Sequence, residues 1–599
     1  MGEQKNLIMA AALSFLVIVL WQVFLAPPPP EPAPELATRG ERLDGATAPA
    51  GPIASAAPAM SRAEALARSE RVGIETPKLT GSIALRGGRI DHLDLLAHRQ
   101  TVDRSSPPVE LLEPTGSSNP FYAVFGWTPA LGAQTGPTPD ADTPWTLAQG
   151  GRLAPGAPVT LEWDNGAGLV FRREISVDAD YMFTVVQSVE NRGDQTLTLA
   201  PYGIVARHGF PPDLINFYIL HEGAIGAFDG TLREIDYNEM LEFAPDPVEG
   251  GPAERIGVAG NGWLGFTDKY WMAALAGGPE RPFTAVFKAS QTAAGPIFQT
   301  DLRHAAVTVA PGETGMTRTL LFAGAKETRL LQSYQRDLMI DRFEDAVDWG
   351  WFFFLTKPLF WLLMAINDLV GNMGWAIILL TVVVKTILFP LAWKSFVAMS
   401  RMKMLQPEME KIKERVGDDK QKMQTEMIAL YKREKVNPAA GCLPILVQIP
   451  IFFSLYKVIF VTLELRHAPF IGWIKDLSAP DPTSWFNLFG LLPFEVEGLP
   501  FFLAALSIGV YPILMGVTMW MQQKLNPAPT DPMQAQIFAI LPFLFMFMLG
   551  SFASGLVIYW IANNILTFTQ QYVIMRSQGV DVDFLGNVKK TFKRKKPAA

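Results

Sequence analysis

The sequence predicts a multidomain membrane protein: an all-β domain followed by a polytopic α-helical membrane domain. Three observations predict it. Apolar residues make up 49% of the 599 residues and charged residues 18%, with the apolarity concentrated at residues 7–25 and after residue 350. The stretch between carries short alternating runs that end in turn residues. The loops of the last third differ in charge in a consistent order. The chain is too long for one ordinary domain. Cys442 is its one cysteine, so no intramolecular disulfide can form and an exported part must fold on its core alone.

At the N-terminus, Lys5 precedes an apolar run from Leu7 to Ala26. That run has the length of a bilayer crossing, about 20 residues. It ends in Pro27 to Pro30, not in a small-residue cleavage site, so residues 1–26 read as an uncleaved transmembrane anchor. Residues 27–70 are rich in Pro, Ala and Gly. Such a composition cannot bury a core and predicts an extended linker.

Residues 71–340 predict an antiparallel β-sandwich. Val159, Leu161 and Trp163 alternate with polar positions, and Asp164-Asn165-Gly166 follows as a turn. Leu169 to Val177 forms a second run, and Tyr181, Phe183 and Val185 alternate in a third that ends at Arg192-Gly193-Asp194. The length suffices for a substantial core. Chemistry is sparse. There is no GxxxxGK[ST] loop and no HExxH, and His92, His98, His208, His221 and His304 lack metal-ligand spacing. Asp178, Asp180 and Glu190 read as turn and surface carboxylates. A binding or scaffold domain is expected, with no catalytic residue, no metal and no cofactor.

Five apolar spans follow, near residues 374–393, 441–463, 501–521, 537–553 and 556–574. Before them lies an ambiguous segment, 345–370. Its apolar part is long enough to cross, yet it carries Lys357-Pro358 and Asn367-Asp368. The positive-inside rule decides. With 345–370 lying flat as an interfacial amphipathic helix, residues 394–440 face the cytoplasm with eleven Lys/Arg against seven Asp/Glu. Residues 464–500 are then periplasmic, with two basic and five acidic residues. The tail, 576–599, is cytoplasmic with seven basic and two acidic residues. Were 345–370 to cross, both basic segments would be outside. The expected topology is six crossings with both termini cytoplasmic and residues 27–370 on the periplasmic side.

Within the cytoplasmic loop, Met402, Leu405, Met409, Ile412 and Val416 are spaced 3-4-3-4. Gly417-Asp418-Asp419 interrupts them, and Met423, Met427 and Leu430 resume the pattern up to Asn437-Pro438. This predicts a helical hairpin over 394–437 with an apolar seam. The methionines either only pack the hairpin or also form a soft surface for apolar segments of other chains.

Lys385 sits in the middle of WAIILLTVVVKTILFPLAW. A charge near the bilayer centre costs roughly 2.5–3.5 kcal/mol on insertion scales. Thr381 lies one turn earlier on the same face. Gln448, Tyr559, Asn563 and Asn564 add polar groups in other spans, and no span holds an acidic partner. The pattern fits a hydrated positive groove; the alternative is that Lys385 snorkels to the cytoplasmic surface. Lys457 lies nearer the periplasmic end of its span and is expected to snorkel there. Pro390, Pro444, Pro450, Pro512 and Pro542 each free a backbone carbonyl and fit irregular helices around a cavity.

Residues 374–575 resemble the membrane core of the YidC/Oxa/Alb insertase family, in VVVKTILFPL, MSRMKMLQPEMEKIKERVGDDKQKMQTEMIALYKREKVNP, GCLPILVQIPIFFSLY, ELRHAPFIGWIKDLS, YPILMGVTMWMQQKLNP, DPMQAQIFAILP and SGLVIYWIANN. The preceding region is similar in layout to the family's large periplasmic β-supersandwich. The resemblance implies a five-helix core around a hydrophilic groove, open to cytoplasm and lipid, with a positive residue at the position of Lys385. The Gram-negative pattern usually has Arg there. Lysine keeps the charge and loses the planar fork. Thr381, Gln448 and Tyr559 match groove-lining positions, and Trp560 stands where a second Tyr is frequent. The implied function is insertion and folding of membrane proteins without ATP. Implied partners are nascent membrane proteins, the Sec translocon, the ribosome, the signal recognition particle receptor and membrane lipids. The hairpin would receive the client through Met402, Leu405, Met409, Met423 and Met427. The tail either touches ribosomal RNA or anionic lipid, or is simply solvated. Two other classes remain open from the residues alone. One is a small-molecule transporter, although no repeat relates the halves. The other is a tethered periplasmic sugar-active enzyme, which needs paired carboxylates.

Overall fold

Alternation along the strands builds the β domain. Val159–Asp164, Leu169–Val177 and Met182–Asn191 pair antiparallel in sequence order, with Trp163 opposite Phe171 and Ile175 opposite Val185. Every second residue turns inward, so Leu161, Phe171, Ile175, Phe183 and Val185 are fully buried. These strands form one flank of a nine-stranded antiparallel sheet that continues through Thr314–Ala325, Trp271–Ala276, Gly262–Thr267 and Gly223–Phe228. An eleven-stranded sheet faces it, centred on Phe121–Pro129, Leu197–His208, Gly295–His304 and Phe283–Thr292. Phe125, Phe287 and Phe298 from this sheet, with Phe171, Trp263 and Phe322 from the other, fill one continuous core. The result is a β-sandwich followed by a helical region.

The structure, a computed structural model, describes residues 60–580 apart from 131–135, 217–218, 280, 418, 438–442, 493–506 and 527–531. The expected anchor at 1–26, the first part of the linker, the start of the span at 501–521, and the tail beyond residue 580 lie outside the described residues. Residues 60–70 of the expected linker are described. Helix Arg62–Leu66 is closed by a capping box between Ser61 and Glu64, and Arg62 pairs with Asp94. The S-x-x-E pattern at Ser61 is the local cause.

Helix α1 (Thr328–Asp337) ends the sandwich, and α2 (Phe353–Val370) follows. Among the described residues, α2 is the one helix long and apolar enough to cross a membrane by itself. Its two ends are nevertheless tied to the base of the β domain. Near one end Lys357 pairs with Glu344 and Asp345 at 2.5 and 2.7 Å, and near the other Asp368 pairs with Arg329 of α1. Trp351, Phe354 and Leu369 are exposed alongside.

The expected span at 374–393 is bent. It divides into α3 (Met373–Ile387) and α4 (Phe389–Met404), bent by 68°. Pro390 stands in the first turn of α4. Its ring and missing N–H prevent the preceding helix from running through. Helices α5 (Gln406–Val416) and α6 (Lys420–Arg433) form the hairpin. They run antiparallel, because Arg415 pairs with Glu426 and Arg433 with Glu408. Further long helices among the described residues are α7 (Leu443–Val461), α8 (Val510–Gln523), α9 (Pro532–Met548) and α10 (Ser554–Ser577).

Lys457 of α7 does not reach open water. It is 8% exposed; its Nζ lies 2.6 Å from Asp348 Oδ2 and donates to the Ile219 carbonyl. The base of the sandwich covers the end of α7 and supplies a carboxylate in place of solvent. Other ties join the same faces. Glu464 Oε1 accepts from the Thr328 amide at the start of α1, 3.1 Å away. Arg466 donates to the carbonyls of Arg99 and Gln100, and the Lys269 ammonium lies 3.9 Å above the Phe460 ring.

Two predictions follow from this packing. Lys457→Met leaves Asp348 buried without its counter-charge, a change that typically costs about 3–5 kcal/mol. Limited trypsin digestion should then cut within 341–352 faster than in the parent, and Asp348→Asn in the same chain should slow the cut again. Separately, burial holds His304 down to about 4, with its ring nitrogen 2.8 Å from the Thr319 hydroxyl. The unfolded chain binds that proton from about pH 6.5 downward while the folded chain does not. The urea midpoint of the β signal should therefore fall as pH drops from 6.5 to 4, and His304→Gln should flatten the fall.

Candidate functional site

Helices α3, α7 and α10 converge on Lys385. Asn372 caps α3 by accepting from the Trp375 amide at 3.1 Å, and α3 then runs down to the bend with Lys385 in its last turn. Pro450 lies inside α7 two residues after Gln448. The long α10 carries Tyr559, Asn563 and Thr567 at intervals of four residues, a single stripe on one face.

The stripe and Gln448 surround the ammonium. Lys385 Nζ donates to Gln448 Oε1 at 3.2 Å and to Thr567 Oγ1 at 2.9 Å. Gln448 Nε2 donates to the Tyr559 hydroxyl. The Thr567 hydroxyl gives its own proton to the Asn563 carbonyl at 2.6 Å. Lys385 therefore stands among neutral acceptors, and it makes no ion pair among the described residues. It borders a cavity of about 40 Å³ whose lining includes Leu388, Phe396, Val447, Gln448, Thr567 and Gln570. That volume has room for about three waters, since a single water needs roughly 10–15 Å³.

Several buried polar atoms of these helices have no protein partner: Gln570 Oε1, which lines the cavity, with Asn563 Oδ1 on α10, Ser395 Oγ on α4 and Ser454 Oγ on α7. Within a low-dielectric environment such atoms call for water. The arrangement can hold a positive charge, admit water and present a hydrogen-bond donor to an anion.

The expected site residues divide. Lys385, Gln448 and Tyr559 are joined in one chain of hydrogen bonds, and Asn563 enters through its carbonyl. Thr381 is 1% exposed, one turn above Lys385, and bonds to the Ile377 carbonyl at 2.7 Å. Trp560 points elsewhere: its ring sits against Phe452 and Phe545, 5.2 and 5.6 Å away. Asn564 also faces away and donates to Thr518 on α8 at 3.2 Å. Of the hairpin residues, Met409 is buried, with its sulfur 3.8 Å from the Tyr431 hydroxyl, whereas Met402, Leu405, Met423 and Met427 are half-buried. An open cleft of about 330 Å³ at the hairpin's end is lined by Ile428, Tyr431 and Val436 with Lys432 and Lys435. Thr567 is the residue that sequence reading missed. Its spacing from Tyr559 and Asn563 was the available signal.

The site is thus a β domain joined to a helical core, with an ammonium held by neutral acceptors beside a cavity of mixed apolar and polar lining inside that core. Comparison with known proteins makes this specific. The YidC periplasmic domain family matches residues 71–362, and the 60Kd inner membrane protein family matches residues 365–580. The membrane protein insertase YidC of Dinoroseobacter shibae is 54% identical, covering 100% of this chain and 99% of that protein. That of Ruegeria pomeroyi is also 54% identical, over 100% of this chain and 99% of its own length. A crystal structure of an active YidC insertase with the first transmembrane domain resolved covers 84% of this chain and 93% of its own, at 18% identity and a TM-score of 0.36. The chain belongs to the YidC family of membrane protein insertases. That family is not one of enzymes, and the transporter alternative finds no support among these relatives.

The cavity can be tested by its water. In a Cys442→Ser background, Gln570→Cys faces the cavity, whereas Ile565→Cys sits on the exposed side of α10. A charged, membrane-impermeant thiol reagent added to the cytoplasmic side should label position 570 readily and position 565 hardly at all. Equal labelling would contradict a hydrated cavity.

Proposed function

We propose that this chain inserts membrane proteins by receiving a client's short polar or acidic segment at Lys385, while the client's apolar helix passes into lipid alongside. One observation carries this reading: the ammonium is held by neutral acceptors beside a cavity, with no carboxylate partner among the described residues. An internal salt bridge would cancel its field, and neutral acceptors leave that field available. Polar side chains replace part of the hydration that the client segment loses, and transfer of the apolar helix into lipid drives the step. Nothing in this sequence of events needs a nucleotide.

The same reading assigns the surroundings. The chain is a multi-pass inner-membrane protein with cytoplasmic termini, and residues 27–370 lie on the periplasmic side. The ties of Lys357 and Asp368 support a flat α2. These residues are about 16 Å apart along a helix, yet both hold partners at the base of the sandwich, which an upright helix would prevent. The hairpin α5–α6 faces the cytoplasm and meets the client through its half-buried methionines. The Sec translocon, the ribosome, the signal recognition particle receptor and anionic lipid are the proposed partners.

Insertion of a single-span client into proteoliposomes, read by protease protection, tests the proposal. Lys385→Ala should lower insertion about tenfold, the weight of one lost charge-assisted contact, while Lys385→Arg should retain most of it. A chain lacking residues 71–330 should still insert. If Lys385→Ala inserts as the parent does, the lysine serves no groove.

A further inference from the structure

Thr567 is absent from the residues that the sequence assigns to the groove, yet it makes the shorter of the two contacts to the Lys385 ammonium. We propose that Thr567 is a positioning residue, which with Gln448 aims the ammonium so that a single N–H faces the cavity and selects clients with an acidic translocated segment. The inference rests on the groove reading above and extends it to how the charge is aimed.

An ammonium has three N–H groups and no lone pair, so each neighbour must accept. A threonine hydroxyl has one proton to give. Thr567 has given it to the Asn563 carbonyl at 2.6 Å, so only its lone pairs remain for Lys385. Gln448 is fixed in the same sense. Its amide nitrogen donates to the Tyr559 hydroxyl, which turns Oε1 toward the ammonium. Both acceptors are oriented by a second bond: in Gln448 through its amide nitrogen, in Thr567 through the hydroxyl's own proton. Two of three N–H groups are thereby used, and the third has no protein partner among the described residues. The ammonium borders the cavity, and there one N–H can meet one oxygen of a carboxylate or a water. A lysine so held recognises a single anionic oxygen, where a guanidinium would offer a fork. Thr567 is 9% exposed and anchored to its own helix backbone, so it cannot follow the ammonium if Lys385 swings away.

The test compares two clients in proteoliposomes containing the full chain. One single-span client carries two Asp residues in its translocated segment, and the other carries Asn in their place. The readout is the ratio of acidic to neutral insertion. Thr567→Val keeps the shape and removes the acceptor; Thr567→Ser restores it. The expected result is a ratio about tenfold lower in Thr567→Val, as for one lost hydrogen bond to a charged group, with most of it recovered in Thr567→Ser. Lys385→Ala should abolish the preference. A parent-like ratio in Thr567→Val, with Lys385→Ala flat, overturns the positioning role and leaves the groove reading standing. Equal loss of both clients in Thr567→Val, or no recovery with Ser, assigns Thr567 to the fold and also overturns it. No preference in the parent defeats the groove reading itself.

Discussion

A lysine ammonium inside a membrane domain has to be solvated by something, and this constraint shapes the helices around it. Moving such a charge to the bilayer centre costs roughly 2.5–3.5 kcal/mol even on insertion scales. A buried carboxylate would offset that cost and end the lysine's usefulness. The chain instead supplies Gln448 and Thr567, two neutral acceptors whose orientations are set by Tyr559 and the Asn563 carbonyl. The bend between α3 and α4 follows directly after Lys385 and opens the cavity at its side. Gln570, whose amide oxygen has no protein partner, lines that cavity.

The second lysine of the core shows the opposite solution. Lys457 is neutralised by Asp348 and covered by the base of the sandwich. Its charge does structural work, holding two parts of the chain together, and is lost to outside ligands. The contrast separates a charge kept for binding from one spent on packing. The β domain is joined to the helices by further polar and cation–π contacts at Glu464, Arg466 and Lys269. A domain joined at so many points keeps a fixed pose above the core, which suits a scaffold better than a swinging receptor.

Sequence reading reached these features unevenly, for physical reasons. The alternation at 159–191 was legible because one face of those strands is wet. Gly223–Phe228 and Trp271–Ala276 are buried along their whole length, so they carry no period of two and resemble any short apolar run. Lys385, Gln448 and Tyr559 stood out because polar groups are rare in apolar spans. Thr567 did not, since a threonine in a membrane helix usually satisfies itself on its own backbone; here it does that and accepts from Lys385 as well. The partner of Lys457 could not be read at all, because Asp348 is brought to it only by the docking of the sandwich. Pro390 announced an irregularity, while the 68° bend it accompanies depends on the packing of α4.

The central claim is that the sign of the charge at residue 385 chooses the client. Reversing it is the most direct measurement. Insertion by the parent and by Lys385→Glu would be compared for two clients that differ only in carrying Asp or Lys in the translocated segment. The account predicts that the parent favours the Asp client and that Lys385→Glu favours the Lys client. The same preference in both, with both chains folded and inserting, would contradict it.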